Sequence, residues 1–412
     1  PLNLLGAFYG KLIYDTGSAK AIADGIILWL GDEQAILADV LCCAELTYGG
    51  VSQFVVAFAI KPVAASLFRD GNIPKRLIPA TMALGAFTFT MSALPGSPAI
   101  QNAIPMPFFG TTAFAAPGLG ITAAVIMLLF GMWWLNRQLA AARRASEGYG
   151  AHDDAVPDSS IGMTEGANRE GYDIRDLDVA EEKTAGLPSF ALAVAPVVAV
   201  VLINFLFVQF VVPVMDTSYL SQPKFGATDI DAVRGVWAII VALLSAIVLL
   251  VALNWPRFES FQSSLDQGAN ASVIPIANTA SLVGFGAVIA ALPAFQTISD
   301  ALLSLGEANP LLSLAIAVNI LSAVTGSASG GMSIALEALG PTYVQLAEAQ
   351  NISLEAMHRV TSISSGALDT LPHNGAVITV LSICGLTHKE AYRDMFMVAI
   401  GGPMIALACI IA

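Results

Sequence analysis

The sequence predicts an all-α polytopic membrane protein built from two inverted-topology repeats. Each repeat is expected to hold a re-entrant hairpin and a discontinuous transmembrane helix. Three observations predict this: long apolar runs, an internal repeat, and helix-breaking residues set inside otherwise apolar segments.

The chain has 412 residues, 56% hydrophobic and only 12% charged, and its mean hydropathy is +0.72. A soluble protein of this size carries roughly twice that charge fraction. The runs "ITAAVIMLLFGMWWL" (121–135), "FALAVAPVVAVVLINFLFVQFVV" (190–212) and "VWAIIVALLSAIVLLVAL" (236–253) suit bilayer spans. A β-barrel would need short alternating segments instead.

Three landmarks recur in order. "AIADGIILWLG" (21–31) matches "TISDALLSLG" (297–306), with Asp24 against Asp300. "TYGG" (47–50) matches "SASGG" (327–331), and "ALPGSPAI" (93–100) matches "TLPHNGAV" (370–377). The separations are 276, 281 and 277 residues, a near-constant offset of the kind inverted-repeat carriers show. The second copy follows two full spans and the first follows none, so an N-terminal pair of spans is expected to be missing. The expected division is a first repeat over 1–141, a linker over 142–187 and a second repeat over 188–412.

Within each copy an apolar limb runs to a glycine-rich tip and a second limb runs back. The limbs at 34–47 and 51–68 are short for full spans, so a hairpin is expected, lining a protein-buried or watery cavity. Arg137, Arg143 and Arg144 follow a span and mark a cytoplasmic end. Counting spans puts Arg69, Lys75 and Arg76 on that side and the loop 347–356 outside. The hairpins then enter from opposite faces and converge near the midplane.

The segment "SSGALDTLPHNGAVITVL" (364–381) sets Asp369, Thr370, His373 and Asn374 where Pro372 and Gly375 interrupt the helix. An unwound helix exposes N–H groups at one half-helix start and C=O groups at the other's end. A break that carries polar residues therefore reads as a binding site. The first copy offers Ser92, Gly96, Ser97 and Asn102 at the matching break. The tips add Thr47, Gly49, Gly50 and Ser52, and Thr325, Ser327, Ser329 and Gly330. Asp369, His373 and Glu45 are the candidate proton carriers, since an ionisable residue inside a membrane is functional by default. Bland readings stand beside these: Ser and Thr also bond their own helix backbone, and Gly-Gly also serves helix packing. Lys61 is expected to snorkel to the interface. His152, His358 and His388 are expected to have no special role.

Between Ala145 and Gly186 there are eleven Asp or Glu and three Lys or Arg. This glycine-rich acidic stretch reads as a flexible linker, with a folded insert as the alternative. Cys42, Cys43, Cys384 and Cys409 lack metal-ligand spacing and read as packing residues.

The stretches "ALPGSPAIQNAI" (93–104) and "SGALDTLPHNGAVITVLSICGLTHKEAYRDM" (365–395) resemble the gluconate permease family, a branch of the ion transporter superfamily. The resemblance implies a proton-coupled symporter for gluconate or a related hydroxycarboxylate in the bacterial inner membrane. It also implies a homodimer. No cofactor and no nucleic-acid partner are expected. It carries onto Pro95 to Asn102 and Asp369 to Asn374. The sequence departs from that family at Glu45, where a small or apolar residue is expected. Sodium in place of the proton stays open, as do a channel and an intramembrane enzyme. "GSASGG" misspaces its serine for a protease, and no Walker-type loop is present.

Overall fold

A computed structural model describes residues 2–31, 34–150, 186–293 and 309–412, and every regular element among them is helical. The landmark at 297–306 with Asp300, and linker residues 151–185, lie outside the described residues.

Among the described residues, four stretches are long and apolar enough to cross a membrane: Pro117–Arg144, Phe190–Val214, Ile230–Arg257 and His388–Ile411. Pro117 opens the first of them, where a missing N–H is harmless. Arg143 and Arg144 close it, next to the negative end of the helix dipole. Ile121, Val125, Leu129 and Trp133 recur every four residues and are exposed, while Ala123, Met127 and Leu135 are buried. An apolar stripe facing outward suits a lipid surround. Leu2–Asp15 packs on Phe261–Ala290, closely enough that a Cβ at Gly268 would lie 2.9 Å from the Phe8 ring.

Two helical hairpins form at the predicted places. The first joins Ala35–Tyr48 to Gln53–Asp70, and the second joins Pro310–Thr325 to Ala328–Ala349. Their leading limbs have 14 and 16 residues, so each rises about 21–24 Å, short of the ~30 Å hydrocarbon layer. Gly50, at φ +94°, turns the first tip. The second tip turns at Gly326, at φ +63°, four residues before the expected Gly330. Gly330 and Gly331 instead lie in the first turn of the returning limb. A Cβ on Gly331 would sit 2.2 Å from the Ser322 backbone nitrogen, so this glycine lets the two limbs close.

Both predicted helix breaks are present. Ile78–Ala86 continues as a widened turn, Phe89–Ala93, and ends before Pro95. The chain resumes as Ile100–Ala103 and Pro105–Phe109. Pro95 and Pro98 offer no N–H, and Gly96 takes φ +87°. Its N–H is satisfied by Ala113 O at 2.8 Å. In the second copy Leu354–Ser365 ends at Gly366, a 3-10 turn follows at Leu368–Thr370, and Gly375–Ile383 restarts. Asn374 caps that restart by accepting from Val377 N at 3.0 Å.

The two hairpin mouths lie at opposite ends of Pro117–Arg144. Glu355, just after the second hairpin, accepts from Ala116 N at 3.2 Å. Asn72, just after the first, accepts from Tyr149 N at 3.1 Å. Arg76 there binds Glu147 at 2.7 Å and Asp394 at 2.5 Å. A 28-residue helix separates these ends by about 42 Å.

The hydrogen bond from Arg76 holds the Glu147 carboxyl below its ordinary value of 4.5. A depressed folded value means the contact stabilises above pH 4.5 and is lost as pH falls below it. Glu147→Gln is therefore expected to flatten the acid limb of thermal stability, followed between about pH 6 and 3. The effect should be small because the carboxylate is partly exposed, and an unchanged acid limb would remove this ion pair as its cause.

Candidate functional site

Each hairpin tip touches the break of its own copy. At the first, Tyr48 donates its hydroxyl to Pro95 O at 2.7 Å, and a Cβ on Gly50 would lie 2.7 Å from Pro98. At the second, His373 Nε2 lies 2.9 Å from Ala323 O, and Asn374 Nδ2 donates to Gly326 O at 2.7 Å. The breaks also meet each other, with Ser362 Oγ donating to Ser92 O at 2.8 Å. A Cβ on Gly366 would sit 3.3 Å from Met91 and Ser92. Tips and breaks thus form one junction between the copies.

Several predicted residues do local work there. Ser92 bonds back to Thr88 O, and Thr325 to Leu321 O. Ser97 accepts from Ala99 N. Ser327 caps the returning limb at Gly330 N and lies 3.4 Å from Ser329. Thr370 reaches Ala367 O. Gly49 gives room to Val197, whose side chain would be 2.7 Å from a Cβ. Glu45 and Ser52 are half-buried beside the first tip. Glu45 acts electrostatically on both Tyr9 and Tyr48.

A different set stands out around the second break. Asp369 is buried, 7% exposed, on the 3-10 turn. The limb Pro310–Thr325 packs against that turn and against Leu354–Ser365. On these elements Asn319 Oδ1, Ser322 Oγ and Ser364 Oγ are buried oxygens without a hydrogen-bond partner among the described residues. Such oxygens are costly unless something polar completes them. Thr47 Oγ1 and the Tyr9 hydroxyl share this condition near the first tip. Among the described residues no three of His, Cys, Asp or Glu gather as metal ligands.

A third cluster was missed from the sequence. His358 and Arg359 are fully buried, and His358, expected to have no special role, is part of this cluster. Asn102 Nδ2 donates to Ser97 O at 2.8 Å and Ala113 O at 3.1 Å, which fixes the amide's orientation. Its Oδ1 then accepts from Arg359 Nη1 at 3.2 Å and from His358 Nε2 at 3.1 Å. Thr111 Oγ1 is left to donate to His358 Nδ1 at 2.6 Å, so the Nε2–H tautomer satisfies every atom. Arg359 further donates to Ala113 O and twice to Ala115 O, at 3.2, 3.0 and 2.7 Å. The guanidinium thus holds the irregular backbone 110–116 against Leu354–Ser365. An arginine beside a histidine in "AMHRVTSISSGAL" (356–368) was the available signal. Lys61, expected to snorkel, is also buried at 5% exposure.

Discontinuous helices, two helical hairpins and a polar junction, in a chain with helices long and apolar enough to cross a membrane, fit the class of membrane transporters. Residues 99–400 match the model of the Na+/H+ antiporter family. The chain is 42% identical over 405 residues to the "Uncharacterized transporter YxjC" of Bacillus subtilis (strain 168), covering 97% of this chain and 83% of that protein. The chain belongs to the Na+/H+ antiporter family and is a transporter, not an enzyme. This corrects the resemblance to gluconate permeases, which no comparison supports. The Leu-Pro elements that suggested it serve to break a helix, since proline withholds an N–H and clashes with the preceding turn. They report the break, not the cargo.

Proposed function

We propose that the protein exchanges a monovalent cation, sodium first, against protons across the bacterial cytoplasmic membrane. The observation that carries this reading is Asp369, buried on a 3-10 turn that packs against the limb Pro310–Thr325 and against Leu354–Ser365, the elements that carry the buried oxygens of Asn319, Ser322 and Ser364. A cation leaving water needs oxygen ligands and a compensating negative charge. A carboxylate supplies both, and it binds either the cation or a proton. Competition for one carboxylate is the simplest chemistry that makes two ions move in opposite directions. Membership of the Na+/H+ antiporter family supports the same reading.

The test uses the purified chain in proteoliposomes with an acid interior and a trapped pH dye. External sodium should alkalinise the interior, and choline should not. A dye response equal for sodium and choline would end this reading.

Alternating access asks for two copies of opposite orientation. The hairpin mouths at opposite ends of Pro117–Arg144 support that arrangement. Cysteines placed at Asp70 and at Ala349 are expected to react with an impermeant reagent from opposite faces of the membrane. Labelling of both from one face would count against inverted repeats.

A further inference from the structure

Asp39 is a second buried carboxylate, far from the Asp369 turn in the sequence and outside the junction. It lies one turn into the first limb and is 1% exposed. It faces Ile78–Ala86, where the helices touch backbone to backbone: a Cβ on Gly85 would lie 2.4 Å from Val40 O. Asp39 Oδ2 is in hydrogen-bond contact with Thr81 Oγ1. The same hydroxyl lies 2.8 Å from Ile78 O.

Thr81 has one hydroxyl hydrogen and faces two acceptors. If Asp39 is ionised, Thr81 can serve only one of them, and the other faces a lone pair. If Asp39 carries a proton, its O–H donates to Thr81 Oγ1 and the Thr81 O–H donates to Ile78 O. Every hydrogen then has an acceptor. Asp39 Oδ1 has no hydrogen-bond partner among the described residues. That is tolerable for the carbonyl oxygen of a neutral acid and costly for half of a carboxylate.

We propose that Asp39 is a proton-binding site, protonated in this conformation, that serves as a step in the proton's path between the Arg76 end and the junction. The path and the step rest on the exchange reading above, whereas the protonation does not. Thr81 follows Arg76 by five residues, at the hairpin-mouth end. The tip residue Tyr48 lies nine residues deeper, about 13 Å along the limb. Taking up a proton forms the O–H bond on Oδ2 and turns the Thr81 hydroxyl to Ile78 O. Releasing it breaks that bond and turns the hydroxyl back to Oδ2. Charged and titratable groups bear on this place from several elements. Cys42 and Cys43 on the same limb and Cys384 beyond Gly375–Ile383 all feel Asp39. Asp24 acts on Cys42, and Lys61 and Lys75 act on Cys384.

Infrared spectroscopy of the purified protein reads the protonated carboxyl directly, whether or not transport works. Asp39→Asn should remove one buried-acid carbonyl band, and Thr81→Val should shift it. In proteoliposomes Asp39→Asn should slow sodium-driven proton movement roughly tenfold or more, with equilibrium binding of radioactive sodium unchanged. Asn preserves the shape, and Thr81→Val supplies a second reading should Asp39→Asn fail to fold. The proposal is overturned if Asp39→Asn keeps every band and Thr81→Val shifts none. It is equally overturned if the band is lost while exchange runs at the wild-type rate. Sodium-insensitive wild-type vesicles would instead sink the exchange reading and leave the infrared assignment standing.

Discussion

Asp369→Asn is expected to abolish sodium-driven proton exchange, a fall of roughly a hundredfold or more. Asparagine keeps the size and an acceptor oxygen but neither titrates nor carries charge. If proton and cation compete for this carboxylate, the substitution removes both halves of the exchange at once. Its neighbours should behave differently. Ser364→Ala and Asn319→Leu each delete one of the oxygens proposed as ligands (Asn319→Leu together with its bond to Ala315 O), each a contact to a charged group worth about 1.5–3 kcal/mol. They should raise the sodium concentration for half-maximal exchange roughly tenfold or more and leave the maximal rate near wild type. The dye assay reads both quantities. Wild-type exchange in Asp369→Asn would transfer the role to another carboxylate, with Glu45 next in line.

The largest expected effect on stability lies at Arg359. Arg359→Met keeps much of the side-chain volume and removes the donors. Ala113 O still accepts from Gly96 N and Asn102 Nδ2, and Asn102 Oδ1 still accepts from His358. Ala115 O, on a buried residue, loses both of its donors. Loss of charge-assisted bonds and one orphaned carbonyl outweigh the relieved desolvation of the guanidinium. The net cost is about 2–4 kcal/mol, which should lower the melting temperature in detergent by several degrees. Arg359→Lys should fall between, since an ammonium cannot reach both carbonyls in the plane of the fork. A melting temperature unchanged in Arg359→Met would mean that the 110–116 backbone is held by other contacts.

Much of the fold was legible in the sequence because its causes are local. Pro95, Pro98 and Pro372 withhold N–H groups from their helices, and no tertiary contact restores them. Gly50 and Gly96 sit where φ is positive, which a side chain resists. Limbs of 14 and 16 residues are short wherever they pack. The hairpins and broken helices followed from these facts. The second tip was misplaced by four residues because two kinds of glycine look alike in a sequence. Gly326 turns the chain, while Gly330 and Gly331 lie where the limbs close, and only the packing of Gly331 against Ser322 distinguishes them.

What the sequence by itself determined is where the long apolar helices run, where helices break and, to within a few residues, where the hairpins turn, since those events depend on covalent geometry and hydropathy a few residues at a time. Only the tertiary structure decided which polar groups meet. His358 and Arg359 find Asn102 across more than 250 residues, and Asp39 finds Thr81 across 42. Nothing in the local pattern of either segment names its partner. The physical reason lies in burial. In an apolar interior a lone polar atom is expensive, so the arrangement that survives is the one in which distant segments satisfy one another. That pairing is a property of the packed helices and not of any stretch of chain read alone.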